Sequence, residues 1–462
     1  MSRKVRLKRE DNMGENKRAT LGGRLSAVLV AAGSAVGLGN IWRFPYIAGE
    51  NGGGAFLVIY IGCILLLGVP VLLAEFTVGR HTHKNSVGAY RLLSKKWSFL
   101  GYNSVISSLL ILGFYFVVSG WTLEYFTSSI TGAISEYSSS VVNAEQFADF
   151  TTDPVRPVIF TVIFALLTHV VIALGVQKGI ERSSKLMMPI LFVMLVVLAI
   201  RSITMPNGLE GLKFLFTPDF SKVTAKTLLD AMGQAFFSLS IGLGCMITYS
   251  SYFNDKTNLQ NTAYNVVILD TLVAVLAGAM IFPAVFSVGI EPTSGPSLVF
   301  VTLPSIFNTM TFGPLWSAIF FLLLILAALT STISLHEVLT VYLNEEWGIS
   351  RKHAARCVTL VTTLLASASS LSLGVWGDFK ICGLNLFDSL DFVTANILLP
   401  LGGCLTSIFA GWVLNKQILR DEISDHGRLK GRLFGLLVVL LRYVCPTLLL
   451  SIFLYNLGLF TL

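Results

Sequence analysis

One carboxylate stands where carboxylates are rare. Asp270 interrupts the apolar run VVILDTLVAVLAG. A charge at mid-bilayer costs at least ~2.5–3.5 kcal/mol on insertion scales, so it needs a partner or a cavity. Close to the end of a span it simply snorkels; deeper, its two oxygens and fixed charge suit a cation. We read it as part of a cation site. Asn40 closes the stretch AAGSAVGLGN (31–40) and offers an amide oxygen to the same ion. Gly33, Gly37 and Gly39 crowd that stretch, and GQAFFSLSIGLGC (233–245) carries Ser238, Ser240, Gly242 and Gly244. Each glycine costs ~1 kcal/mol against alanine in a helix interior, so both stretches are expected to unwind. Unwound backbone survives in hydrocarbon only where it lines a cavity inside the protein. Breaks at matching positions of two halves are the pattern of a transport site. Intact helices packed closely through small residues are the alternative. A break leaves free amides at a half-helix N-terminus, suited to a carboxylate, and free carbonyls at the preceding C-terminus, suited to a hard cation.

Other polar residues share the apolar runs. In LAALTSTISLHEV, Ala327, Thr330 and Ser331 lie at i, i+3 and i+4, on one helix face. Their hydroxyls either ligate an ion or bond back to their own helix. Glu75 is helix-packing glue or a buried partner. Arg43 follows the first glycine-rich stretch by one turn, and Asp388 and Asp391 precede or begin a later run. An Arg–Asp pair reached by water is weak enough to serve as a breakable gate; otherwise these are unrelated interfacial charges. The six cysteines show no CxxC or Cys/His spacing, so no metal site of that kind is expected. No nucleophile–base constellation lies at membrane depth, so the chain reads as a carrier and not an enzyme.

The elements that hold these residues follow from composition. The 462 residues are 54% hydrophobic and 13% charged, against roughly 25% charged in soluble domains. Lipid is the better solvent for such a sequence. Eleven stretches are long and apolar enough to span: roughly 25–48, 53–79, 98–130, 155–174, 185–203, 227–252, 262–288, 313–343, 354–373, 385–413 and 433–458. The N-terminal 1–24 is a basic tail. The loops after the second, fourth, eighth and tenth spans are rich in Lys and Arg, while 131–154 carries Glu136, Glu145, Asp149 and Asp153. The positive-inside rule then puts the N-terminus in the cytoplasm and, after eleven spans, Leu462 outside. The net charge of +7 is thus a topology signal and not a nucleic-acid face. Pro292–Met310 reads as a short helical hairpin over the outer vestibule, or as a plain loop.

GSAVGLGNIWRFPYIAGENGGGAF (33–56), with GQAFFSLSIGLG and LTSTIS at matching distances, resembles the neurotransmitter:sodium symporters, the LeuT-fold transporters. The likeness is to a bacterial member and runs from about Arg18 to the eleventh span. It implies an all-α polytopic membrane protein of five plus five inverted helices: 25–203 as the first repeat, 227–413 as the second, and 433–458 as helix eleven. It implies about two sodium ions. The first would take the Ala35 carbonyl, Asn40, Ser238 and Asp270. The second would take the carbonyls of Gly33, Val36 and Ala327 with the hydroxyls of Thr330 and Ser331. A substrate carboxylate would meet the amides of Leu38 and Gly39 and the Tyr115 hydroxyl, and an amino group the carbonyls near Ala35, Phe237 and Ser238. The side-chain pocket would be Ser34, Ile111, Tyr115, Phe237, Ser240, Leu243, Ser331 and Leu335, with Tyr115 and Phe237 as its lid. Arg43 and Asp391 would form an outer gate, and Arg18 with Glu345 an inner latch beside Tyr252.

Departures from the family refine this. Monoamine members carry an acidic side chain where this chain has Gly37, so a zwitterionic amino acid is expected, hydrophobic or aromatic given Leu243 and Leu335. Chloride-dependent relatives have Asn at the position of Asp270 and Ser at that of Ala274. The fixed carboxylate would stand in for chloride, with Tyr60, Gln234 and Ser238 around it. Leu21 replaces a Trp near the inner latch. Many relatives have a twelfth helix, so a homodimer contact using it is placed in question. Gly179 and Pro189 flank nine residues, the family's spacing for unwinding the start of helix five. Sodium-coupled symport by alternating access in the bacterial inner membrane follows as the expectation. Proton coupling through Asp270, and an amino-acid sensor of the same fold, are the alternatives.

Overall fold

The computed structural model describes residues 19–136, 140–289, 298–424 and 434–459. Every regular element among them is helical. Among the described residues nine helices are long and apolar enough to cross a bilayer: Gly54–Thr82, Lys95–Thr131, Arg156–Ala173, Val176–Ile203, Leu259–Ser287, Gly313–Glu346, Arg351–Leu371, Leu386–Val413 and Phe434–Asn456. They are helices two to five and seven to eleven. Helix one is a bent pair, Arg24–Ala35 and Gly39–Glu50, turning 54° at its break. Helix six is split into Ala225–Ser238 and Cys245–Ser250, each too short to span alone. Nine spans and the bent pair account for ten of the eleven expected stretches, and the split helix six occupies the remaining one, 227–252.

The outer surface has the polarity of a membrane protein. Leu166, Val193 and Leu364, in the middles of helices four, five and nine, are more than half exposed. Meanwhile Asp270, Glu75, Asn40 and Gln234 are fully buried. Apolar residues outside and carboxylates inside invert the soluble pattern, as lipid requires. Helix eight runs along helices three, four and nine, while helices one, two, six and seven pack together around the breaks.

Helix starts are capped from the sequence. The Asn258 side chain accepts from the Asn261 amide at the head of helix seven, and Thr224 with Thr227 forms a reciprocal cap on helix six. Such caps satisfy amides that the first helical turn leaves free. Helix five begins earlier than its hydropathy indicates, at Val176, because Val176–Glu181 forms a π-helical turn around Gly179. Short helices at Ser86–Leu93 and Gly208–Phe216 lie between spans, where no element was expected. Where a short helical hairpin was expected, Leu298–Thr302 and Leu303–Asn308 run on as one short helix; 290–297 lie outside the described residues.

Candidate functional site

The break in helix six is written in its glycines. Ser240, Gly242 and Gly244 have φ of 52°, 84° and 73°. Glycine takes this left-handed region without steric cost. At Gly242 a Cβ would come 3.1 Å from the Leu399 carbonyl oxygen, so the position is also closed by its neighbour. Ser240 is held there by its own hydroxyl, which donates to the Ser34 carbonyl at 2.8 Å. That bond ties the break of helix six to helix one just before its own break.

Glu75 resolves as a buried partner. Its Oε1 accepts from the Gly242 amide at 2.7 Å, and its Oε2 has no hydrogen-bond partner among the described residues. A carboxyl from helix two thus occupies a donor that the break sets free. Substituting Glu75→Gln retains an acceptor there; Glu75→Ala leaves a buried N–H unsatisfied, at about 1–3 kcal/mol. We expect E75A to lower the thermal midpoint in detergent, and E75Q to stay close to wild type. Equal destabilisation in both variants would remove this account.

Asp270 sits where the two breaks converge. It is wholly inaccessible to solvent. Asn40 Nδ2 donates to its Oδ1 at 2.8 Å and lies 2.8 Å from Ser238 Oγ. Ser238 Oγ is 2.9 Å from both carboxylate oxygens, and Tyr60 donates from 3.4 Å. All of these partners are neutral, and no ion pair joins Asp270 to a lysine or arginine among the described residues. A buried carboxylate without a counter-charge must take up a cation or a proton. Ser238 and Tyr60 bring hydroxyl oxygens of the kind a hard cation takes, whereas Asn40 turns its amide nitrogen to the carboxylate and its Oδ1 accepts from the Gly37 amide at 3.0 Å, so its expected oxygen ligand is not aimed at Asp270. Ala274 and Gln234 are buried nearby in the fold, with Gln234 Nε2 donating to the Gly39 carbonyl at 2.9 Å.

A second oxygen cluster lies between helices one and eight. Thr330 Oγ1 is 2.9 Å from the Ala327 carbonyl and 3.2 Å from the Val36 carbonyl. A Cβ on Gly33 would stand 3.7 Å from Thr330 Cβ, and one on Gly37 would strike Ser331 Oγ at 2.4 Å. The five residues named for the second ion, Gly33, Val36, Ala327, Thr330 and Ser331, therefore meet across one helix–helix contact.

The side-chain pocket also assembles. A cavity of about 40 Å³ is lined by Ser34, Ala35, Gly37, Gly39, Ile111, Tyr115, Phe237, Ser238, Ser240, Leu243, Ser331 and Leu335. Cys245 lines it too, a residue that its apolar neighbours in the sequence disguised as filler. Leu38 does not face this cavity but donates its amide to Tyr115 Oη at 3.2 Å. Ser34, on the cavity wall, is buried. Above lies a second cavity of about 510 Å³, walled by Trp42, Arg43, Trp121, Phe300, Asp388 and Asp391 among others. Tyr115, Phe237 and Gly39 line both cavities, so the two rings stand between them.

The gates are placed unevenly. Arg43 and Asp391 share the upper cavity, but no ion pair within 4.0 Å joins them. The Arg43 guanidinium stacks 4.6 Å from the Phe237 ring centre instead. Arg18 lies outside the described residues. Glu345 accepts from the backbone and side-chain amides of Asn85, at 2.8 and 2.9 Å. Tyr252 donates to Glu337 at 2.6 Å, and Glu337 takes a two-pronged pair from Arg351 at 2.8 and 2.7 Å. Leu21, in place of the expected Trp, is buried and bonds through its amide to the Tyr252 carbonyl at 3.0 Å. Sequence reasoning missed Glu337. Its signal was available: it follows Thr330 by seven residues, two helical turns, and so shares that face. Glu181, which binds the Gly22 amide and the Ser26 hydroxyl at 3.1 and 2.7 Å, gave no comparable signal.

Comparison with known proteins bears on the family and the fold. The model of the sodium:neurotransmitter symporter family matches residues 18–154 and 151–461. An uncharacterized sodium-dependent transporter of Bacillus subtilis (strain 168) is 38% identical over 96% of this chain and 99% of its own length. A sodium- and chloride-dependent GABA transporter 2 of Macaca fascicularis is 27% identical over 91% of this chain and 76% of its own. The crystal structure of MhsT in complex with L-phenylalanine superposes with a TM-score of 0.87 at 43% identity, covering 95% of this chain and all of that one. The helical fold is therefore that of a LeuT-type carrier, and the chain belongs to the sodium:neurotransmitter symporter family, a family of multi-pass membrane transporters and not of enzymes.

Proposed function

We propose that the chain couples the inward movement of sodium, about two ions per cycle, to uptake of a zwitterionic hydrophobic or aromatic amino acid, without chloride. The observation that carries this reading is Asp270, buried between the two breaks and held by neutral donors alone. A cation there closes the charge balance that the carboxylate leaves open. It also fixes helix one against helix six, where Asn40 and Ser238 already stand 2.8 Å apart, and so orders the amides of helix one toward a substrate carboxylate. Direct coupling follows when that carboxylate itself joins the ion. The second ion is assigned to the Thr330–Ser331 face. The absence of a side chain at Gly37 leaves the substrate's own carboxylate as the site's second anion. Leu243, Leu335 and Ile111 supply apolar walls, and the likeness to a structure holding L-phenylalanine points the same way.

Alternating access then needs no covalent step. Helices one, two, six and seven rock against the rest. Tyr115 and Phe237 close over the substrate, and Arg43 meets Asp391 above them. On the opposite face Arg18 pairs with Glu345 beside Tyr252 while the outer vestibule is open. The orientation is N-terminus in the cytoplasm, in a bacterial inner membrane.

The test is uptake of L-phenylalanine and other amino acids into proteoliposomes, with external sodium replaced by potassium at constant pH. We expect uptake to fall to background without sodium and to be indifferent to replacing chloride with gluconate. Undiminished uptake in potassium would transfer the role at Asp270 to a proton. Sodium-dependent thermal stabilisation by the amino acid without any flux would make the protein a sensor.

A further inference from the structure

Helix eleven carries an arginine that the transport site does not use. Arg442 lies inside the span Phe434–Asn456. Its Nε donates to the Gly411 carbonyl at 2.6 Å, and its guanidinium carbon stands 4.8 Å from the centre of the Trp412 ring. Trp412 returns a bond from Nε1 to the Arg442 carbonyl at 3.2 Å. These contacts are made by two facing π-helical turns, Phe409–Val413 in helix ten and Leu440–Val444 in helix eleven. Such turns are rare and cluster at functional positions. The helices touch there: a Cβ on Gly411 would come 2.9 Å from Arg442 Cγ and 3.0 Å from the Leu441 carbonyl carbon. The arginine is thus fixed in one orientation by stacking, by one hydrogen bond and by close packing.

It is fixed but not neutralised. Among the described residues no ion pair joins Arg442 to a carboxylate, and neither Nη1 nor Nη2 donates to a protein group. An arginine committed to a span carries a large cost unless its charge finds a partner. The partner's position is given by the aromatic residues around it. Trp412 and Tyr443 are 53% and 54% exposed, with ring centres 5.6 Å apart edge to face. Half-exposed Trp and Tyr on a spanning helix sit at the headgroup level. Arg420, stacked 5.8 Å from the Phe434 ring, adds charge at the same end of helix eleven. That end belongs to the face with the Lys- and Arg-rich loops, where anionic lipid is attracted.

We propose that Arg442, braced by Trp412 and Gly411, is a headgroup site for one anionic phospholipid. The phosphate takes the Nη1 and Nη2 edge of the guanidinium, whose fork matches phosphate oxygens in pairs. The acyl chains run from the guanidinium toward the bilayer interior, along the exposed Leu450 of helix eleven. The lipid closes a contact that already joins helices ten and eleven.

The test is native mass spectrometry of the full chain in mild detergent, titrated with phosphatidylglycerol. Phosphatidylcholine of the same acyl chains and inorganic phosphate serve as competitors. We expect one tightly held phosphatidylglycerol, displaced by neither competitor. R442Q should hold it about tenfold more weakly, and R420Q should hold it nearly as wild type does. Sodium-dependent thermal stabilisation reports that each variant is folded. If R442Q does not fold, R442K replaces it, keeping the charge and losing the fork; weakened retention supports the site and unaltered retention overturns it. Equal loss in R420Q and R442Q would reduce the effect to bulk charge and overturn it. So would competition by phosphatidylcholine at equal concentration, or displacement by inorganic phosphate, which would make the site one for a free anion.

Discussion

Replacing Asp270 with Asn is expected to abolish amino-acid uptake from chloride-free sodium buffer. The side chain keeps its volume and a hydrogen-bonding oxygen, so Asn40, Ser238 and Tyr60 retain most of their contacts. What disappears is the charge. Breaking a buried charge pair by removing one partner costs about 3–5 kcal/mol, so apparent sodium affinity should fall by roughly two to three and a half orders of magnitude. Chloride is the informative addition. With the carboxylate gone, the space beside Tyr60, Gln234 and Ser238 lacks its negative charge. External chloride should then restore part of the uptake, while wild type ignores it. Measured as sodium dependence of uptake with chloride or gluconate, an unaltered D270N would end the assignment of Asp270 to an ion. A D270N that is dead in both anions would end the substitution argument alone.

Introducing Asp at Gly37 should have an effect of similar size on the substrate and a smaller one on sodium. A Cβ at this position falls 2.4 Å from Ser331 Oγ and 3.3 Å from Tyr115 Oη, so Ser331 must turn away before any side chain fits. The carboxylate would then occupy the space where the amino acid's own carboxylate is expected, and like charges in a buried site repel strongly. We expect G37D to weaken L-phenylalanine binding by about a hundredfold or more, read as loss of ligand-dependent thermal stabilisation in saturating sodium. G37A separates the two causes, because it brings the methyl and not the charge. Equal losses in G37A and G37D would make the effect one of space alone. Retained amino-acid binding in G37D would remove the reading that Gly37 selects zwitterions.

Much of this site was legible one residue at a time. Asp270 and Asn40 announced themselves by chemistry, because hydrocarbon makes any buried charge or amide conspicuous. The glycines of 31–40 and 233–245 marked the breaks, because few other residues take the φ values seen at Gly242 and Gly244. Other partners were not legible. Glu75 stayed ambiguous because nothing local says that its carboxyl meets the Gly242 amide, 167 positions away. Cys245 was hidden by its apolar neighbours, and Glu337 by the hydroxyl-rich run in front of it.

The sequence by itself determined the solvent, the number of spans, the places where two helices must break and the kind of atoms those breaks expose. Each of these is a property of a short window: hydropathy over some twenty residues, or backbone freedom over a few. Only the tertiary structure decided that Asp270 has neutral partners alone, that Arg43 stacks on Phe237 instead of pairing with Asp391, and that Arg442 is braced yet uncompensated. Charge balance is a sum over everything within a few ångströms. Those neighbours come from helices far apart in the chain, so no window along it contains them.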